Sequence, residues 1–245
     1  MTTEGSAESA EFAEQVASIA ALDEPMRARL YQWVVERGAL VSRDEAAAAL
    51  GIARSVAVFH LDRLVAVGLL DTEFRRLTGR RGPGAGRPSK LYRRSSRELA
   101  VSLPERRYDV AGRLLAEAVR SASSQDVPID EAVASSARDL GRSLASRVRE
   151  RAGSGASAVG LRGALLTVLG EQGYRPKAEL DRITLGNCPF RLLAQEYTEL
   201  MCAMNLTALA ETAAAVPEAG ASAKLSPQAG RCCVELRLYG VAGAA

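Results

Sequence analysis

The sequence is short of aromatics, of histidine and of lysine. Phenylalanine, tryptophan and tyrosine make up 4% of its 245 residues. Alanine is abundant instead, which predicts helices rather than a sandwich, because strands favour aromatic and β-branched side chains. There is one histidine, His60, so a metal site built from several imidazoles is excluded. No apolar run approaches the roughly 18 residues of a membrane span. The opening "MTTEGSAESAEFAEQ" has neither the basic start nor the apolar core of a signal peptide. No membrane partner is expected, and a cytoplasmic protein with reduced thiols is. The four cysteines, Cys188, Cys202, Cys232 and Cys233, include an adjacent pair. That argues against a disulfide framework and leaves metal, redox and plain core roles open.

What is present describes a globular chain, 47% hydrophobic and 25% charged. The net charge of +3 says little; its distribution says more. Residues 1–24 are acidic, and residues 1–14 read as a disordered acidic tail. Residues 73–97 carry nine basic side chains against one acid, Glu73.

Between these lies a helical pattern. Pro25 suits the first turn of a helix in which Leu30, Trp33 and Val34 share a side. Ser42 and Glu45 form a capping box for a short helix that Gly51 ends. The next helix runs over 53–70, with Val56, His60, Leu61 and Leu64 as its stripe and no capping side chain at Ala53. Two short helices joined at "LGI" make a helix-turn-helix. Strand-like runs over 69–77 and 89–95 then flank the loop "TGRRGPGAGRP", which reads as a hairpin.

A glycine-rich loop beside arginines raises two phosphate readings, a nucleotide or a nucleic acid. "GPGAGRPSK" lacks the P-loop spacing and enters a strand rather than a helix. The hairpin therefore reads as the wing of a winged-helix DNA-binding domain over 15–98. "LGIARSVAVFHLDRLVAVGLL" followed by "GRPSKLY" resembles the winged-helix domain of the ArsR-type bacterial regulators. "LGNCPFRLLAQEYTELMCAMNL" and "GRCCVEL" resemble the sensor of the branch that includes the Suf-operon repressors.

In such a domain the N-terminal residues of the second helix meet base edges, here Arg54, Ser55, Ala57 and Val58. Arg54 suits guanine or a phosphate. Phe59 reads better as packing under the wing than as a contact to a thymine methyl. Arg80, Arg81 and Arg87 suit the minor groove, and Lys90, Tyr92 and Arg93 suit phosphates. A Ser-His-Asp triad would have to be built inside that same helix around His60, so no enzyme is expected.

The second half reads as amphipathic helices over 103–151, then an α+β sensor domain over 157–240. The fold class is thus mostly α with a small α+β part. The resemblance implies that the helices over 103–151 pair two subunits into a homodimer on a palindromic operator, most simply as a repressor. It also implies Cys188, Cys202 and Cys232 as ligands of a [4Fe–4S] cluster, with Cys233 as substitute. Asn187 or Cys188 should cap a long helix with Pro189 at its first position, which would lower the Cys188 thiol pKa. If that helix were unbroken, Cys188 and Cys202 would stand roughly 20 Å apart along it. Either it breaks, or Cys202 is a core residue, or Cys202 meets the other subunit. Two rival readings remain: a sensor of an apolar small molecule with structural cysteines, and a metal or redox enzyme with a vestigial DNA domain.

Overall fold

The computed structural model describes residues 4–76 and 88–239. It is mostly helical with a small sheet part, as expected, and splits into two compact units, Met1–Val101 and Ser102–Ala245. Each has its own apolar core. No helix among the described residues is long and apolar enough to cross a membrane.

The first unit begins with α1 (Glu4–Ala20), not with the disordered tail expected through residue 14. Alanine-rich sequence favours this helix, and tertiary contacts hold its C-terminal half. Ser18 is fully buried and donates to the Val67 carbonyl at 2.7 Å. Glu14 meets the Arg97 guanidinium at 2.7 Å. After a short 3-10 turn, α2 (Pro25–Arg37) starts with Pro25 in its first turn and the Glu24 carboxylate accepting from the Met26 and Arg27 amides. The capping box of Ser42 and Glu45 opens α3 (Arg43–Leu50), and Gly51 closes it at φ +64°, a conformation that favours glycine.

In α4 (Arg54–Ala66) the core stripe is Ala57, Leu61 and Leu64. Of the stripe expected on this helix, Leu61 and Leu64 are buried as expected, and Ala57 takes the place of Val56 and His60. Val56 is 38% exposed and His60 half-buried, because Ala57 is the residue that joins Leu30 and Val34 in the core of this unit. Three antiparallel strands complete the unit in the order β1 (Val41–Ser42), β3 (Ser89–Arg94), β2 (Leu70–Arg75). The pairing of β2 with β3 runs from Leu70↔Arg94 to Arg75↔Ser89. Their connecting loop lies outside the described residues.

The second unit packs α5 (Tyr108–Gln125), α6 (Ile129–Ala152) and α7 (Ala158–Glu171) with a four-stranded antiparallel sheet. The sheet order is β4 (Pro176–Ala178), β5 (Arg182–Leu185), β7 (Val234–Leu238), β6 (Ala221–Leu225). α5 starts at Tyr108 rather than 103, since Pro104 disfavours helix in the residue before it. The long helix expected after Pro189 is two, α8 (Arg191–Glu196) and α9 (Thr198–Ala214), separated at Tyr197.

α6 and α9 approach each other closely. A Cβ on Gly141 of α6 would stand 2.5 Å from the Ala208 carbonyl oxygen and 2.6 Å from Glu211 Cβ. Beside it, buried Thr212 donates to the Ala208 carbonyl at 2.8 Å, with the Gly141 carbonyl at 3.2 Å. We predict that Gly141→Ala destabilises the protein. Overpacking costs about 1–3 kcal/mol, against a gain of about 1 kcal/mol in helix propensity. The urea midpoint should fall; a midpoint that stays or rises would mean the helices part freely.

Candidate functional site

The first unit presents one face of α4 to the surface. Arg54, Ser55, Val56, Phe59 and Arg63 are exposed along it, while Val58 is half-buried. Arg54 Nε lies 2.5 Å from Asp44 Oδ1 at the surface, a pairing that solvent keeps weak. Phe59 is 66% exposed, edge-on to the His60 ring at 5.1 Å, so it does not pack beneath the hairpin as expected. His60 Nδ1 stands 3.3 Å from Glu24 Oε2.

Two expected contact residues are buried. Ala57 is 0% exposed and belongs to the core, so it cannot touch a ligand. Tyr92 is also 0% exposed, and its hydroxyl donates to Asp62 Oδ1 at 2.9 Å. Burial and the neighbouring Asp62 carboxylate push its pKa up. Lys90 Nζ meets the same oxygen at 2.7 Å. Asp62 of α4 thus holds β3 through two side chains that were assigned to phosphates. Burial raises the Asp62 pKa, but the Lys90 and Tyr92 hydrogen bonds and the Lys90 and Arg43 charges bring it below the ordinary value. Arg93 and Arg94 are exposed. Arg80, Arg81 and Arg87 lie outside the described residues.

The second unit gathers all four cysteines. The segment before Cys188 is pinned by buried Asn187, which donates to the Glu105 and Gly173 carbonyls at 2.9 and 2.6 Å. Arg106 donates to Asn187 Oδ1 at 2.5 Å and to the Cys188 carbonyl at 3.0 Å. Neither Asn187 nor Cys188 caps a long helix. α8 has six residues, Phe190 stands at its N-cap without a side-chain bond, and Asn187 is spent on the preceding loop. The break at Tyr197 then brings Cys202, on α9, back beside the C-terminal pair.

Cys202 and Cys233 are in hydrogen-bond contact, sulfur to sulfur, at 2.6 Å. Cys232 is hydrogen-bonded to Cys188 and to Cys233, and its sulfur accepts from Asn205 Nδ2 at 3.2 Å. Asn205 in turn accepts from the Tyr174 hydroxyl at 2.5 Å. The sulfurs therefore run in the order 188, 232, 233, 202. Cys188, Cys202 and Cys233 line a cavity of about 220 Å³ that Arg191, Gln195 and Arg231 complete. Cys232 lies behind, 1% exposed.

No family model, curated protein or solved structure matches this chain. The site stands on its own geometry.

That geometry separates the thiols. Hydrogen bonds with Cys232 pull Cys188 down and Cys233 down to about 6, in each case against burial. The Cys202 bond also lowers Cys233, while the Phe190 amide and the Arg106 charge help lower Cys188. Burial and its bond to Cys233 push Cys202 up to about 12. Cys232 is raised by its hydrogen bonds with Cys188 and Cys233 and by burial. Sequence reading missed Asn205, Tyr174 and Arg106 because nothing in their spacing marks them. Only the fold aims them at the thiols.

Among the described residues, no group of three or more His, Cys, Asp or Glu is arranged to hold a metal ion. Thiolates bound tetrahedrally at about 2.3 Å from one ion stand about 3.8 Å apart, and Cys202 and Cys233 are closer than that. The soft donor set still suits iron–sulfur chemistry, provided this pair parts.

Alkylation should resolve the thiols. Raising the pH through about 6 converts Cys233 to thiolate, so its rate with iodoacetamide should rise there and level off. Cys202 should stay slow at pH 8. Mass spectrometry of the tryptic peptides 192–224 and 232–237 reads the two separately. A shared midpoint near the ordinary thiol pKa would refute the assignment.

Proposed function

We propose that the chain is a winged-helix transcriptional regulator, a homodimeric repressor of a palindromic operator, whose affinity for DNA responds to the state of the thiol site. The observation that carries this reading is the exposed face of α4. An arginine, a serine and two apolar side chains stand exposed on the second helix of a helix pair, beside an antiparallel hairpin whose strand β3 ends in exposed arginines.

Freed from Asp44 at little cost, Arg54 would bond guanine O6 and N7. Val56 and Phe59 offer apolar surface of the kind that meets thymine methyls. Arg93 and Arg94 supply phosphate contacts, to which the loop arginines Arg80, Arg81 and Arg87 would add. The reading is of a regulator rather than an enzyme, since the only imidazole sits on α4 beside Glu24. A homodimer would place two such faces on successive turns of the duplex.

In the second unit, Cys188, Cys202 and Cys233 would hold an iron–sulfur cluster at the cavity, with Cys232 behind them. Such a group would make the site responsive to iron supply and to oxidants. The chain's own contribution is to position the donors: Arg106 and Asn187 fix the Cys188 loop, and Asn205 fixes Cys232. A second reading draws on a groove of about 660 Å³ where Val133, Leu200 and Met204 form an apolar floor beside Asp130, Glu196 and Glu199. Its size suits an apolar small-molecule effector.

Two measurements test this reading. Affinity for duplex DNA should fall linearly with log salt. Arg54→Ala should cost about 1–3 kcal/mol of discrimination at one base pair and leave the salt slope nearly unchanged. A salt-insensitive protein that retains no duplex would sink the regulator. For the sensor, protein purified without oxygen should show broad visible absorbance with iron and sulfide, bleached by air and lost in Cys188→Ala. A colourless protein that resists reconstitution would favour the apolar effector.

A further inference from the structure

The contact that keeps the thiols from holding a metal as they stand is itself a site. We propose that Cys202 and Cys233 are a hydroperoxide-reactive dithiol that closes to a reversible disulfide, and that this bond and an occupied thiol cavity exclude one another.

Three observations select this pair. Its sulfurs are 2.6 Å apart, and both residues are half-buried at the lining of the same cavity, within reach of a small solute. The other pairings are disfavoured. Cys232 is 1% exposed and turned to Asn205. Cys188 is 7% exposed, and its thiol is hydrogen-bonded to Cys232 rather than to Cys202 or Cys233. Cys232 and Cys233 are adjacent in the chain, and a trans peptide holds their Cα atoms about 3.8 Å apart, short of the usual disulfide span.

The chemistry balances with one oxidant. One thiol attacks a hydroperoxide, R–O–O–H, and becomes a sulfenic acid while the peroxide leaves as the alcohol, R–OH. The second sulfur displaces the sulfenic hydroxyl, which departs as water with the remaining thiol proton, and the S–S bond forms. Two thiols are oxidised, one peroxide is reduced, and a dithiol reductant reverses the step. The bond joins α9 to the start of β7 and removes two of the three donors that face the cavity.

The consequence for regulation rests on the sensor reading above, but formation of the bond needs neither DNA nor metal, so the two fail separately. The test treats the reduced, full-length protein, after chelation, with hydrogen peroxide. Two of its four thiols should be lost and should return with dithiothreitol. Tryptic digestion without reductant should join peptide 192–224 to peptide 232–237. The link should persist in Cys232→Ser, which keeps an acceptor for Asn205, and vanish in Cys233→Ser. Fragmentation of the wild-type linked pair between residues 232 and 233 assigns the sulfur without any variant. A link from 183–191 to 232–237, a bond at Cys232, or conversion only to sulfinic acid would overturn the proposal.

Discussion

The second unit depends on how closely two helices meet. At Gly141 the backbone of α6 lies against the Ala208 and Glu211 positions of α9 with no room for a side chain. Thr212 fills the seam with a hydrogen bond rather than with bulk. That approach fixes where α9 lies, and α9 carries both Cys202 and Asn205. A shift of one helix against the other would move together the Cys202 thiol and the Asn205 amide that holds Cys232. Interiors packed to crystal density transmit such shifts rather than absorb them.

From that seam the thiol site is assembled by buried polar groups that each have a partner. Tyr174 donates to Asn205, and Asn205 donates to the Cys232 sulfur. On the other side Asn187 takes two carbonyls and Arg106 a third. Leaving any of these unpaired would cost about 1–3 kcal/mol, so the network holds one arrangement. It also makes four chemically identical side chains unequal. Cys232, enclosed and donating, keeps its proton, and Cys233, which accepts that hydrogen bond, gives its proton up.

The first unit uses the same device once. Asp62 gathers Lys90 and Tyr92 onto one carboxylate oxygen and so ties the hairpin to α4. Two residues that look like surface ligands in a basic stretch are spent on holding the strand. Exposed on α4 are Arg54, Ser55, Val56, Phe59 and Arg63, a mixed polar and apolar face.

The sequence by itself determined the elements whose signals are local. The capping box at Ser42, the glycine stop at Gly51, Pro25 at a helix start and both strands of the hairpin stand where short-range chemistry puts them. So does the strand over 221–225, "ASAKL". Each of these is decided within a few residues, by orphan backbone groups or by a fixed φ. The tertiary structure decided everything that turns on which face looks inward or on contacts between distant residues. Val56 and Ala57 differ by one position, and only the fold says that Ala57 joins Leu30 and Val34 in the core. Ser18 carries no local signal of burial, and only the fold sets it against the Val67 carbonyl. The break at Tyr197 follows no glycine or proline, yet it is what carries Cys202 to Cys233. A list of four cysteines does not contain their order in space. That order follows from a helix seam and two buried asparagines, whose partners are far away in the chain.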